Sequence, residues 1–259
     1  MIGVIGGTGL SDPALLGAAV RQVEQKSVVT PYAEQPVEVF IVSWSGSGAG
    51  IDVAFLPRHS RGHKVPPHRI NYRANLWALH KLGVREVIGV NAVGGIHPET
   101  GPGRIAIPRQ IIDYSWGREH TFFDGAANTD DALGFAAIGH IDFTDPYSET
   151  LRQRLIRHAE LLPAWADGVY GCTQGPRLES AAEVARLRRD GCDMVGMTGM
   201  PEAALARELE LDYACIALSV NWAAGLSDDI ITMESIGQVL EGGMADVIGI
   251  LQRVCREAP

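Results

Sequence analysis

The chain has little of what marks a membrane-spanning, secreted or zinc-binding protein. It contains only four cysteines in 259 residues, and no two of them stand at CxxC spacing. We therefore expect buried thiols, and neither disulfides nor a structural zinc site. No run approaches the roughly 20 apolar residues that cross a bilayer, and the N-terminus lacks the basic region and apolar core of a secretory signal. These absences predict a cytoplasmic protein.

An excess of basic side chains is also missing. Lysine and arginine number 22 against 31 acidic residues, which gives a formal charge of −9. This balance argues against nucleic acid or an anionic membrane as a partner, although it allows a small local basic pocket. Repeats, low-complexity tracts and an interdomain linker are absent as well. Because 46% of the residues are hydrophobic, one continuous core is feasible, and we expect a single domain over residues 1–259.

Short apolar runs alternate with helical patterns along the chain. A period near 3.6 predicts helices at residues 72–82, 149–162, 181–190, 202–209 and 235–257. Strands are predicted at residues 2–5, 37–42, 53–55, 87–90, 105–107, 194–197 and 213–218. The alternation predicts an α/β fold with a mixed, largely parallel central sheet flanked by helices. Long loops that could cover a site are predicted for residues 113–145, which have no clear period.

Two predicted strands run into glycine turns whose bare backbone can approach an anion. The first is the Gly-Gly-Thr-Gly turn of residues 6–9, where Thr8 adds a hydroxyl donor. The second is Asn-Ala-Val-Gly-Gly at residues 91–95. Either alone is equally consistent with an ordinary turn or βα connection. The first could also open a dinucleotide site, but the required G-x-G-x-x-G order is absent.

Further candidates follow a strand or precede a helix. Arg58 and His59 come after a strand, where side chains commonly face the ligand crevice of an open sheet, and a planar guanidinium suits phosphate. A solvated loop of mixed charge would look similar. A capping box at residues 180–183 puts Glu179 beside a helix start. Pro201 suits the first turn of the helix after Thr198, so nearby backbone amides could point at an anion.

In chain order, these motifs resemble those of one family. The matching segments are GGTG at residues 6–9, RHSRGH at 58–63, NYRANLWAL at 71–79, QGPR at 174–177 and MTGMPE at 197–202. The chain is similar to the trimeric purine nucleoside phosphorylase and 5'-methylthioadenosine phosphorylase family. In that family, inorganic phosphate attacks C1' of a purine nucleoside and releases the base and a pentose 1-phosphate.

The resemblance implies a homotrimer, phosphate as co-substrate, and neither an organic cofactor nor a metal. It also implies the residues that hold phosphate, which are Thr8, Arg58, His59, Ala92 and Thr198. Met197 would lie beneath the ribose, and Val195 would belong to the same substrate site.

The base pocket separates branches of the family. Adenine-specific members have aspartates at the positions of Asn221 and Ala223, whereas 6-oxopurine phosphorylases have asparagine at the first position and a glutamate that Glu179 matches. Glu179 can accept from N1–H of hypoxanthine, and Asn221 can donate towards O6 or N7. Adenine would set an N1 lone pair against Glu179. Alternatively, Glu179 has no role in binding the base and is simply a carboxylate at a helix N-terminus, where the helix dipole favours a negative charge. Leu178 stands where the family usually has a phenylalanine that stacks on the base.

The 5' end of the sugar points to the methylthio branch. Inosine-type enzymes use a polar residue there, typically a histidine in the C-terminal segment, and no histidine follows His158. Met233 and Ile236 instead match apolar 5' contacts, which suit a thioether, although both could be core residues of the last helix. His140 resembles a residue that the neighbouring subunit contributes.

Together these features predict phosphorolysis of 5'-methylthioinosine to hypoxanthine and 5-methylthioribose 1-phosphate, with Arg58, His59 and Asn221 as catalytic residues. The alternatives are a purine nucleoside phosphorylase acting on inosine or guanosine, and a methylthioadenosine phosphorylase with an altered pocket. A dinucleotide-binding oxidoreductase or a nucleotide-binding module without catalysis is a more distant alternative.

Overall fold

A mixed β-sheet forms the centre of the computed structural model, which describes residues 1–44, 51–123, 139–160, 162 and 164–257. Within these residues the sheet has 11 strands: β1 (Ile2–Gly6), β2 (Val20–Val28), β3 (Val37–Trp44), β4 (Ile51–Pro57), β5 (Glu86–Gly95), β6 (Ile105–Ala106), β7 (Gln110–Asp113), β8 (Ala164–Trp165), β9 (Val169–Cys172), β10 (Met194–Gly196) and β11 (Asp212–Trp222). The α-helices are α1 (Tyr72–Lys81), α2 (Glu149–Ala159), α3 (Ala181–Arg189), α4 (Glu202–Glu208) and α5 (Met233–Arg256).

The sheet is largely parallel. Its main path runs β2-β3-β4-β1-β5-β10-β9-β7, and β11 pairs with both β5 and β6. Strand β1 is parallel to β4 and β5, and β11 is parallel to β5. Antiparallel pairs join β2 to β3, β3 to β4, β5 to β10 and β6 to β11. The α/β prediction with a mixed, largely parallel sheet is therefore confirmed.

Helices cover both faces of the sheet. Because side chains alternate along a strand, neighbouring residues of β5 enter different cores: Val87 packs on the side of α1 and α4, and Ile88 on the side of α2 and α5. All four cysteines are buried and free of disulfides, as the sequence predicts. No helix in the described part of the chain is both long and apolar enough to cross a membrane.

Each predicted helix and strand is present, with differences of a few residues at the ends. Four strands were not predicted, namely β2, β7, β8 and β9. Strand β2 is an edge strand with mostly exposed, polar residues, so it has no apolar alternation to detect. The described residues 114–123 and 139–148 contain neither helix nor strand, as the loop prediction for 113–145 requires, whereas residues 124–138 lie outside the described part.

The parallel strands place the candidate motifs at one edge of the sheet. Gly6 at the end of β1 pairs with Pro57 at the end of β4, so the glycine turn lies beside Arg58. Residues 91–95 form the end of β5, and Gly94 pairs with both Val195 of β10 and Asn221 of β11. Segments that are far apart in sequence therefore converge where a ligand crevice is expected.

Candidate active site

A cavity of about 390 Å³ opens at this edge of the sheet, within the range of small-molecule sites. Every predicted site residue except His140 lines it. The residues predicted to bind phosphate are all present: Thr8, Arg58, His59, Ala92 and Thr198. So are the residues predicted to bind the nucleoside: Leu178, Glu179, Val195, Met197, Asn221, Met233 and Ile236.

The Arg58 side chain is fully buried and its donors are largely committed. Nε and Nη2 donate to the two carboxylate oxygens of Glu202, each at 2.7 Å, and Nη1 donates to the Val90 carbonyl at 2.7 Å. Burial opposes the charged form, but the Glu202 carboxylate outweighs it and raises the pKa of Arg58 above its ordinary value. Arg58 is therefore a cation whose charge is balanced by Glu202.

Glycine at position 7 lets the turn pass close to this cation. A Cβ on Gly7 would lie 2.7 Å from Nη1 of Arg58 and 2.6 Å from the Val90 carbonyl oxygen. Both distances are shorter than real Cβ contacts, so a side chain would displace the guanidinium or the turn. The glycine turn and Arg58 thus form one packed unit beside Thr8.

Asn91 joins Arg58 to Thr198. Its Oδ1 accepts from Nη2 of Arg58 at 3.3 Å, and its Nδ2 donates to Oγ1 of Thr198 at 2.8 Å. Because the Thr198 oxygen accepts from Asn91, its own hydroxyl hydrogen can turn towards the cavity. Asn91 belongs to the glycine-containing motif at residues 91–95, but its contacts with Arg58 and Thr198 could not be predicted because they join segments distant in sequence.

His59 is neutral at physiological pH. Burial, with further contributions from the charges of Arg58 and His63, lowers the pKa of His59 to about 4, although a hydrogen bond to Val65 opposes the shift. Nδ1 lies 2.8 Å from the Val65 carbonyl oxygen, which can only accept, so Nδ1 carries the hydrogen. Nε2 is therefore an acceptor. The His63 ring packs on His59 with 4.0 Å between centroids, and burial lowers the pKa of His63 as well.

The two base-reading candidates are held by neighbours. Thr173 Oγ1 donates to Oε1 of Glu179 at 2.6 Å, and Asn221 Nδ2 donates to the Trp222 carbonyl at 2.6 Å. One N–H of the Asn221 amide remains for another acceptor. The hydroxyl of Thr173 thus orients the Glu179 carboxylate, a contact that the sequence analysis did not predict. The capping box is present, with Ser180 and Glu183 bonded reciprocally.

The wall near the start of α5 is apolar. Met233 lines the cavity with 75% of its surface exposed, so it is not a core residue of the last helix. Ile236 is 8% exposed and belongs to the core while also lining the cavity. Ile231 adds to this wall and was not predicted.

Arg118 is a second buried cation that sequence analysis missed. It lies in the loop predicted for residues 113–145. Its guanidinium donates to four backbone carbonyls on two segments beside the cavity, those of Thr173 and Gln174 on one and those of Met197 and Met200 on the other. No local pattern distinguishes Arg118 from a solvated loop arginine, because its role depends on where the two segments fold.

His140 is exposed and does not line the cavity of its own chain. Its assignment to the site of a neighbouring subunit stays a prediction. In the described residues, no group of His, Cys, Asp or Glu side chains has the arrangement that could hold a metal ion.

Comparison with known proteins assigns the chain to a class. A profile of the phosphorylase superfamily matches residues 1–256, and the chain belongs to this superfamily. It is 52% identical over 255 residues to a probable S-methyl-5'-thioinosine phosphorylase of Pseudomonas syringae pv. tomato, covering 97% of this chain and 96% of that protein. It is 41% identical over 253 residues to a 6-oxopurine nucleoside phosphorylase of Pyrococcus furiosus, covering 96% and 90%.

A solved structure extends the agreement to three dimensions. The methylthioadenosine phosphorylase of Schistosoma mansoni in complex with adenine superposes with a TM-score of 0.85 at 29% identity. The match covers 98% of this chain and 90% of that one. The family resemblance read from the motifs is confirmed.

Proposed function

We propose that the protein catalyses phosphorolysis of 5'-methylthioinosine to hypoxanthine and 5-methylthioribose 1-phosphate. The observation that carries the proposal is one cavity in which Glu179 and Asn221 occur together with an apolar wall that includes Met233 and Ile236. The similarity to a relative described as a probable S-methyl-5'-thioinosine phosphorylase supports it.

The reaction is a substitution at C1' of the sugar. A phosphate oxygen forms a bond to C1' while the bond from C1' to N9 of the purine breaks, and its electron pair passes into the base. The base leaves as neutral hypoxanthine, and the proton it gains balances the one that monohydrogen phosphate gives up on forming the ester. Since phosphate is already an anion, the protein has to position the reactants and stabilise charge that develops on the leaving base.

The phosphate end consists of Thr8, Arg58, His59, Ala92 and Thr198. The hydroxyls of Thr8 and Thr198 and the Ala92 amide supply neutral donors. Neutral His59 accepts at Nε2 from the P–OH group of monohydrogen phosphate, an assignment supported by the Nδ1 hydrogen bond to Val65. Arg58 supplies a guanidinium whose charge Glu202 balances.

The base end selects a 6-oxopurine. Glu179, oriented by Thr173, accepts from N1–H, and the remaining N–H of Asn221 donates to O6 or N7 as charge builds on the base. An adenine would leave the carboxylate facing a lone pair, and such a mismatch is costly once the bound base excludes water from it. Val195 and Met197 form the surface beside the sugar, and Leu178 borders the base.

The apolar wall selects the 5' substituent. Ile231, Met233 and Ile236 suit a methylthio group and offer no partner to a 5'-hydroxyl. The proposal further includes a single domain, a homotrimer in which His140 of each subunit reaches a neighbouring site, a cytoplasmic location, and a reaction that uses phosphate without metal or organic cofactor.

The test is a panel of initial rates on 5'-methylthioinosine, 5'-methylthioadenosine, inosine and adenosine, with and without phosphate. We expect phosphate-dependent turnover with the highest kcat/KM for methylthioinosine. Preference for methylthioadenosine would contradict the roles of Glu179 and Asn221. Preference for inosine would contradict the role of the apolar wall.

A further inference from the structure

A buried carboxylate lies behind the phosphate end of the cavity. Glu202, the first residue of α4, is fully buried and does not line the cavity. Its Oε2 accepts from Nε of Arg58 and its Oε1 from Nη2, and Oε1 also accepts from the Tyr213 hydroxyl at 2.8 Å. Such a two-point contact holds the planar guanidinium in one orientation.

The contact extends to a second cavity residue. Nη2 of Arg58 also donates to Asn91, whose amide in turn donates to Thr198 at 2.8 Å. Arg58 follows β4 and Thr198 follows β10, so the two reach the cavity from different strands. A single carboxylate outside the cavity is thus connected to donors on two separate segments.

The sheet leaves room for this arrangement at one glycine. A Cβ on Gly89 of β5 would overlap the Tyr213 hydroxyl and would lie 3.0 Å from Oε1 of Glu202. Any other residue at position 89 would push the hydroxyl or the carboxylate out of place. The backbone of β5 is therefore fitted to the Glu202 contacts, independently of the residues that line the cavity.

We infer that Glu202 is a positioning residue of the phosphate site, which orients Arg58 directly and Thr198 through Asn91. The inference rests on the proposed phosphorolysis. It separates Glu202 from the residues that touch substrate, because the carboxylate acts only through Arg58. Its loss therefore affects phosphate and leaves the nucleoside contacts intact.

The main test is Glu202→Asp, which keeps the charge but shortens the side chain by one methylene. We expect the KM for phosphate to rise about tenfold, the effect of losing one charge-assisted hydrogen bond, while the KM for methylthioinosine changes less than about twofold. Gly89→Ala should give the same pattern without altering any group of the network. Tyr213→Phe removes only one hydrogen bond to Glu202 and should raise the phosphate KM by about threefold.

An unchanged phosphate KM in folded Glu202→Asp protein, or an equal rise in both KM values, would overturn the inference. If the first two variants do not fold, Tyr213→Phe decides, and an unchanged phosphate KM there would contradict the positioning role. Calorimetric titration with inorganic phosphate alone separates this inference from the proposed function. Wild-type protein that binds phosphate but turns over no nucleoside contradicts the function, and a weaker phosphate affinity of the variants still supports the role of Glu202.

Discussion

At the scale of single residues, the protonation state of His59 has the broadest consequences. A neutral ring with hydrogen on Nδ1 presents an acceptor to the cavity, so it suits a phosphate that still carries a proton. Its neutrality also links the site to stability, because the unfolded chain has no such burial.

The folded-state pKa of about 4 lies below the ordinary value of 6.5 for His59. Between these values the unfolded chain binds a proton that the folded protein does not. The free energy of unfolding should therefore fall as the pH drops from about 6.5 to 4, by up to about 1.4 kcal/mol per pH unit from this group. Urea unfolding of the wild type and His59→Asn across this range checks it. The unfolding free energy of the variant should depend less steeply on pH than that of the wild type. His63 adds a pH dependence of the same sign in both proteins, and equal slopes would contradict the assignment.

Asn221→Asp tests how the base is read. An aspartate loses the N–H bonded to the Trp222 carbonyl and offers only acceptors to the base. We expect the ratio of kcat/KM for methylthioadenosine to that for methylthioinosine to rise about tenfold or more. Ratios from competition between the two nucleosides are insensitive to the fraction of folded enzyme. An unchanged ratio would refute the role of Asn221 in selecting the base.

Met233→His tests the 5' wall. Because Met233 is 75% exposed, the substitution should leave the unfolding free energy within about 0.5 kcal/mol. It should raise kcat/KM for inosine relative to methylthioinosine, since a histidine can bond a 5'-hydroxyl. Ile230→His is the matched control, as Ile230 is 85% exposed nearby and does not line the cavity. Equal losses for both substrates in Met233→His would argue against this placement.

At the scale of elements, Arg118 ties together the two segments that follow the paired strands β9 and β10. Its bonds to Thr173 and Gln174 reach the segment before Glu179, and those to Met197 and Met200 reach the segment around Thr198. The hydrogen bonds of Arg118 therefore connect the base end of the cavity to its phosphate end. Glu202, in contrast, acts on the phosphate end alone.

Replacing Arg118 by methionine should affect both ends together. The variant leaves buried carbonyls without donors, and we expect a loss of at least about 3 kcal/mol in unfolding free energy. The KM values for phosphate and nucleoside should both rise. Arg109→Met is the control, because the Arg109 pair with Asp167 is exposed and contributes less than about 1 kcal/mol. A rise confined to one substrate would contradict the cross-linking role.

Elements with a local sequence pattern were predictable, whereas the exposed strand β2 and the short buried strand β9 were not. Helix α3 has apolar positions at helical spacing and a capping box, both of which are local signals. Strand β2 is held by backbone pairing with β3 and is largely exposed, so its residues carry no period. Its existence depends on a partner strand more than on its own sequence.

At the scale of the whole molecule, the sequence motifs predicted which residues line the cavity, while their roles toward a ligand stay predictions. Thr8 and Arg58 follow the parallel strands β1 and β4, whose ends lie side by side. Thr198 follows β10, which reaches the same edge because Val195 pairs with Gly94 at the end of β5. Glu202 and Arg118 were not predictable, since their roles arise from burial against distant segments. Glu202 by itself resembles a carboxylate that favours a helix start.

The balanced Arg58–Glu202 pair has a consequence for how phosphate arrives. With His59 neutral, the inner end of the cavity has little net charge, and it lies in a protein whose formal charge is −9. An incoming anion is thus captured by directed hydrogen bonds at short range and is not drawn in by a long-range field. Dissolved salt screens the repulsion from the acidic surface, so phosphate capture in this protein should tolerate rising ionic strength, unlike capture by a site that relies on unpaired cations.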